Sequence, residues 1–146
     1  MSLVEQHALL PDEIDQGSIG MVTARLIEDG WENDEKLFVA SRIVRAEGDI
    51  GISNFIEFSD NAIDKAIEAL ISKKTIVTDV RMVQVGISET LLKSIAVSTI
   101  CKINTAEVAE RALKDATTRS IANIRELKDY LNDAIVCVGN APTALL

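Results

Sequence analysis

The 146 residues predict an α/β fold built on a mostly parallel sheet covered by helices. Three observations carry that expectation. Short β-branched runs alternate with longer Ala/Leu/Lys/Glu stretches of helical spacing, the pattern of βαβ units rather than of an all-β sandwich. Apolar residues make up 47% of the chain and aromatics only 3%, so the core must be built from Ile, Val, Leu and Ala. Two prolines and seven glycines leave no room for a long linker, and the length suits a single domain, residues 1–146.

The elements follow in order. Pro11-Asp12-Glu13 is a helix entry, and Ile19, Val22 and Leu26 give the following segment one apolar face. A polar turn around Gly30 leads to a second helix over Asp34–Glu47, with Gly48 as its stop. Asn54–Ser59 is a strand candidate, and Ser59 or Asp60 then caps a helix running to about Ser72. Thr75–Val80 and Ser94–Ile103 are the next strands. Ala106–Leu131 reads as one long helix kinked near Thr117-Thr118, delivering the chain to a last strand, Ala134–Val138. Gly139 and Asn140 permit a sharp turn there, with Asn140 as N-cap and Pro142 in the first turn of a helix.

Charge and motif content exclude several classes. A net charge of −8 argues against a nucleic-acid or anionic-membrane partner, while leaving a local anion site open to well-placed arginines. No apolar stretch reaches spanning length, no basic start precedes Leu9-Leu10, and cytoplasm is the expected compartment. Cys101 and Cys137 lie in apolar runs, where a reduced buried thiol is usual. Paired-His and Cys-x-x-Cys spacings are absent, so no metal site is expected. Gly17-Ser18-Ile19-Gly20 lacks phosphate-loop spacing, and the single histidine, His7, reads as a surface residue of the N-terminal segment.

Parallel sheets place ligands outside the carboxyl ends of their strands. Three such ends are polar: Asp79-Val-Arg81-Met82, Lys102-Ile-Asn104 and Gly139-Asn140. Polar loops alone would give the same pattern.

Three segments add specificity. Thr78-Asp-Val-Arg-Met-Val-Gln-Val-Gly-Ile87, Thr118-Arg-Ser120 and Gly139-Asn-Ala-Pro-Thr-Ala-Leu145 resemble, in the same order, motifs of the precorrin-8X methylmutase family. The likeness runs over about residues 12–146 and is strongest after Thr75. It implies a flavodoxin-like three-layer α/β/α domain that forms a homodimer, with the tetrapyrrole at the dimer interface. It also implies a cofactor-free isomerase of corrin (cobalamin) biosynthesis that moves a methyl group from C11 to C12 of precorrin-8 or cobalt-precorrin-8. By the same resemblance, Ser18, Asp79, Met82, Arg119, Ser120, Gly139, Asn140, Ala141 and Thr143 are substrate-binding positions. The Arg119 guanidinium would pair with a peripheral carboxylate of the ring.

Two departures qualify the carry-over. Arg45 stands where the family carries its catalytic histidine, and an arginine does not release a proton near neutrality. Its expected role is to bind a carboxylate or stabilise developing negative charge, unless it is simply a charged helix-surface residue. Family members also continue beyond the Gly-Asn-Ala-Pro-Thr motif, so the chain is expected to lack their carboxyl-terminal part and to leave a sheet edge open. The readings that follow are an active methylmutase with an altered role at Arg45, a tetrapyrrole-binding or partner subunit, and a structural α/β module without a pocket.

Overall fold

The computed structural model describes residues 11–139 and 142–146, which form two compact units, one up to Ile63 and one from Asp64 onward. His7, Asn140 and Ala141 lie outside the described residues.

The first unit is a helix pair. Helix α1 spans Pro11–Glu28 and helix α2 spans Glu35–Glu47, as the spacing predicts. Asp34 caps α2, its carboxylate accepting from the N–H groups of Lys36 (3.0 Å) and Leu37 (3.1 Å). Gly48 ends it in the left-handed region at φ 72°, its N–H donating to the Val44 carbonyl. Leu26, Leu37, Ala40 and Val44 form the buried seam, backed by Val22, Trp31, Ile50, Ile52 and Ile56. Each buried leucine contributes about 2 kcal/mol of hydrophobic stabilisation.

The expected strand Asn54–Ser59 is not formed. A 3₁₀ turn over Ile50–Phe55 precedes extended, unpaired chain. Here side chains satisfy the backbone locally. Asp49 accepts from the Gly51 N–H (2.8 Å), Ser53 donates to the Ile50 carbonyl (2.8 Å), and Asn54 donates to the Gly51 carbonyl (3.2 Å). These bonds wind Ile50–Phe55 into the 3₁₀ turn, which takes in Asn54 and Phe55 and closes with the Ile56 N–H donating to the Ser53 carbonyl at 3.3 Å, so the start of the expected strand is spent in a turn.

Helix α3, Ala62–Ile71, starts two residues beyond Asp60 and runs across the boundary into the second unit, which is built around three parallel strands. β1 (Ile76–Thr78) is central, flanked by β2 (Thr99–Ile100) and β3 (Ile135–Cys137). Ile76 pairs with Thr99 and Ile135, and Val77 with Ile100 and Val136. The parallel α/β class therefore holds, with three strands rather than four among the described residues.

Two further boundaries are corrected. The apolar run Ser94–Ile103 is not all strand. Ser88 caps a helix over Glu89–Ile95 (α5), which follows α4 (Arg81–Gly86), and only Thr99–Ile100 joins the ladder. The stretch Ala106–Leu131 is not one kinked helix. It divides into α6 (Ala106–Lys114), α7 (Arg119–Glu126) and a 3₁₀ turn (Lys128–Tyr130). The break is a true stop and restart. Ala116 adopts φ 47°, and Thr118 goes extended so that its hydroxyl accepts from the Ile121 N–H at 3.2 Å. α6 and α7 pack through Val108, Ala112 and Ala122.

Replacing the α2 cap, Asp34→Ala, is expected to lower the stability of the helix pair by about 1 kcal/mol. The fluorescence of Trp31, the chain's one tryptophan and part of that core, reports the urea transition.

Candidate functional site: the carboxyl edge of the sheet

The ladder ends early at the carboxyl side of the sheet, and buried polar side chains continue it. On the β3 side, the Asp79 N–H donates to the Cys137 carbonyl at 3.1 Å. The buried Asp79 carboxylate then accepts from the Gly139 N–H at 3.2 Å. On the β2 side, fully buried Asn123 of α7 enters the fork beyond Ile100. Its amide nitrogen donates to the carbonyls of Thr78 (2.9 Å) and Asp79 (3.1 Å), and its amide oxygen accepts from the Lys102 N–H (2.7 Å). Three of its four hydrogen-bonding positions are thus used, which offsets the cost of burying an amide.

Around this edge stand most of the residues singled out by sequence. Asp79 and Ser120 are buried, and Arg119, the first residue of α7, is exposed and forms no ion pair among the described residues. The Ser120 Oγ and Thr78 Oγ1 atoms are buried with no hydrogen-bond partner among the described residues. Met82, near the start of α4, is 65% exposed and offers an apolar surface. Thr143 is exposed on a 3₁₀ turn, Pro142–Leu145, that packs on α7 through buried Ala144. The helix that begins with the Thr-Arg-Ser segment and the turn that bears Pro-Thr therefore pack together.

Gly139 explains itself by crowding. A Cβ placed there would fall well inside van der Waals contact of Val83 Cγ2. This ties the middle motif to the terminal one: Val83 of α4 lies against the backbone that Asp79 holds.

Cys137 is half-buried, and burial pushes its thiol above the ordinary range, with the Asp79 carboxylate adding to the effect. Its thiol is therefore neutral at neutral pH and a weak nucleophile.

Ser18 and Arg45 belong to the helix-pair unit, where they line one open groove of about 470 Å³ with Met21, Val22, Arg25, Val44, Gly48 and Ile50. Arg45 is ion-paired with Asp15 on α1, and Arg42 approaches the same carboxylate at 3.9 Å. Asp15 and Asn123 were not singled out by sequence. An asparagine inside a helix among Ser120, Ile121 and Ala122 is a weak signal, because the buried face of α7 emerges only with the helix boundaries. Among the described residues, no group of three or more His, Cys, Asp or Glu is placed to hold a metal. No helix among them is long and apolar enough to cross a membrane.

A parallel α/β unit with a buried carboxylate, a buried hydroxyl and an arginine without an ion-pair partner among the described residues belongs to the open-sheet class, in which ligands bind outside the carboxyl ends of the strands. The family is the precorrin-8X methylmutase family, to which this chain belongs, its profile matching residues 13–146. The chain is 34% identical over 113 residues to a cobalt-precorrin-8 methylmutase of Methanocaldococcus jannaschii, covering 77% of this chain and 50% of that one. It is 36% identical over 121 residues to a cobalt-precorrin-8 methylmutase of Leptospira interrogans, covering 82% and 52%. The crystal structure of a precorrin-8X methylmutase from Thermus thermophilus superposes with a TM-score of 0.78 at 29% identity, over 92% of this chain and 65% of that one. The chain spans about half the length of the curated relatives it matches.

Gly139→Ala is expected to cost about 1–3 kcal/mol through overpacking against Val83. Adding Val83→Ala should recover most of the loss, in urea denaturation followed by circular dichroism.

Proposed function

We propose that this chain acts in corrin biosynthesis as a precorrin-8X methylmutase-like isomerase. It takes precorrin-8 or cobalt-precorrin-8 and promotes migration of the methyl group from C11 to C12. One carbon–carbon bond breaks as the other forms within the same molecule, so neither an oxidant nor a second substrate is consumed. The observation that supports this reading is the convergence of the family's motifs on one edge: Asp79 bonded to Gly139, Val83 against Gly139, and α7 packed on the turn that bears Thr143.

Each group has a role in that proposal. Arg119 pairs with a peripheral carboxylate of the ring, and Ser120, Thr143 and the backbone N–H groups of Asn140 and Ala141 supply hydrogen bonds to the same kind of group, while the Gly139 N–H is held by Asp79. Met82 is an apolar wall for the macrocycle, and Asp79 holds the Gly139 backbone in place. The enzyme's contribution is orientation of the ring and stabilisation of charge during migration. Cytoplasmic location and assembly as a homodimer belong to the same proposal.

Arg45 supports a second reading. Its guanidinium is already engaged by Asp15, so it serves as a bound cation rather than a proton donor. On that reading the chain is a tetrapyrrole-binding or partner subunit of impaired activity.

Purified chain incubated with precorrin-8 is expected to give the rearranged ring, seen in its absorption spectrum. Arg45→His should raise the rate at least tenfold, since a positioned general acid contributes about 10²–10⁴. Arg119→Ala should weaken ring binding about tenfold or more by removing a charge-assisted pair. Binding without turnover, with activity gained only in Arg45→His, would select the subunit reading. Absence of any spectral shift would reject both.

A further inference from the structure

We infer that Asn123 is a positioning residue for the ligand edge, setting where Arg119 and Ser120 stand relative to Asp79. This inference rests on the ring-binding reading above. Neither the sequence motifs nor the likeness to relatives assigns Asn123 a role.

The argument starts from the ladder. β1 and β2 are paired only through Ile76–Thr99 and Val77–Ile100. Beyond that point the Thr78 and Asp79 carbonyls and the Lys102 N–H would be left in a buried fork without strand partners. Asn123 is bonded to all three, at 2.9, 3.1 and 2.7 Å. An apolar residue could fill the same volume, but it would leave these backbone groups unsatisfied.

The bridge also fixes a helix. Asn123 lies one turn after Arg119 and Ser120 on α7, so anchoring its side chain sets the height and rotation of that helix at the edge. Its partner Asp79 is the residue whose carboxylate holds the Gly139 N–H. One side chain thus links the end of β1, the end of β2 and the helix start that presents Arg119. Asparagine suits this because its amide donates two hydrogens to two successive carbonyls while its oxygen accepts from a third strand-end group. An aspartate would repel both carbonyls, and a serine lacks the reach and the second donor.

The test compares Asn123→Ala and Asn123→Ser with Val108→Ala, a core truncation on α6 that leaves the edge bonds in place. The probe is the methyl-migrated ring product, titrated by absorbance at a temperature where circular dichroism shows each variant folded. Both Asn123 variants should lose at least tenfold in affinity, while Val108→Ala stays within twofold of the native chain. Equal losses in Val108→Ala and Asn123→Ala would reduce Asn123 to a stabilising residue, and native affinity in a folded Asn123 variant would overturn the inference. Should the native chain itself fail to bind, the ring-binding reading falls separately. Asn123 is then judged on the backbone amide resonances of Arg119 and Gly139: movement of both in Asn123→Ser, with little change in Val108→Ala, supports positioning, and unchanged resonances refute it.

Discussion

The second unit depends on a polar splice at the point where a very short parallel ladder stops. Three strands of two or three residues provide few interstrand hydrogen bonds, and parallel pairing needs helices to hold it together. Here the carboxyl ends of the strands are fixed by two fully buried side chains. Asp79 extends the β1–β3 seam to Gly139, and Asn123 closes the β1–β2 fork. Buried polar groups in a low-dielectric setting are costly when unpaired and rigidifying when paired. The consequence is an edge whose backbone is held while its outer groups, Arg119, Met82 and Thr143, remain exposed.

That arrangement separates holding from binding. The hydrogen-bonded Asp79 and Asn123 side chains sit inside, and a cation without an ion-pair partner among the described residues sits outside, in a chain whose overall charge is negative. In the methyl migration proposed for this chain, orientation of the ring counts for more than supply of a reagent. In the helix-pair unit the charge logic differs. Arg45 is ion-paired with Asp15, so its guanidinium is a charge already engaged within the unit.

Much of this was legible in the chain itself. The helix from Asp34 to Gly48 could be read to the residue because an acidic cap and a left-handed glycine mark both ends locally. The β1 and β3 runs and their parallel relation followed from apolar stretches separated by helical ones. The failures have a common physical origin. Asn54–Ser59 was a strand candidate, but Asp49, Ser53 and Asn54 bond the backbone at Ile50 and Gly51 and wind the chain into a 3₁₀ turn that takes in Asn54 and Phe55. Thr118 looked like a kink, whereas its hydroxyl starts a new helix. The candidate site residues were named through family motifs. Asn123 escaped because its importance lies in carbonyls more than forty positions away, which no local pattern encodes.

The most direct test of the splice is native-state hydrogen exchange at two backbone amides, Gly139 and Lys102. Neither belongs to a strand, yet each donates to a buried or partly buried side-chain acceptor. The account predicts protection approaching that of the Ile76 and Asp79 amides within the sheet. Exchange of Gly139 and Lys102 at the rate of an open loop, while Ile76 stays protected, would contradict it.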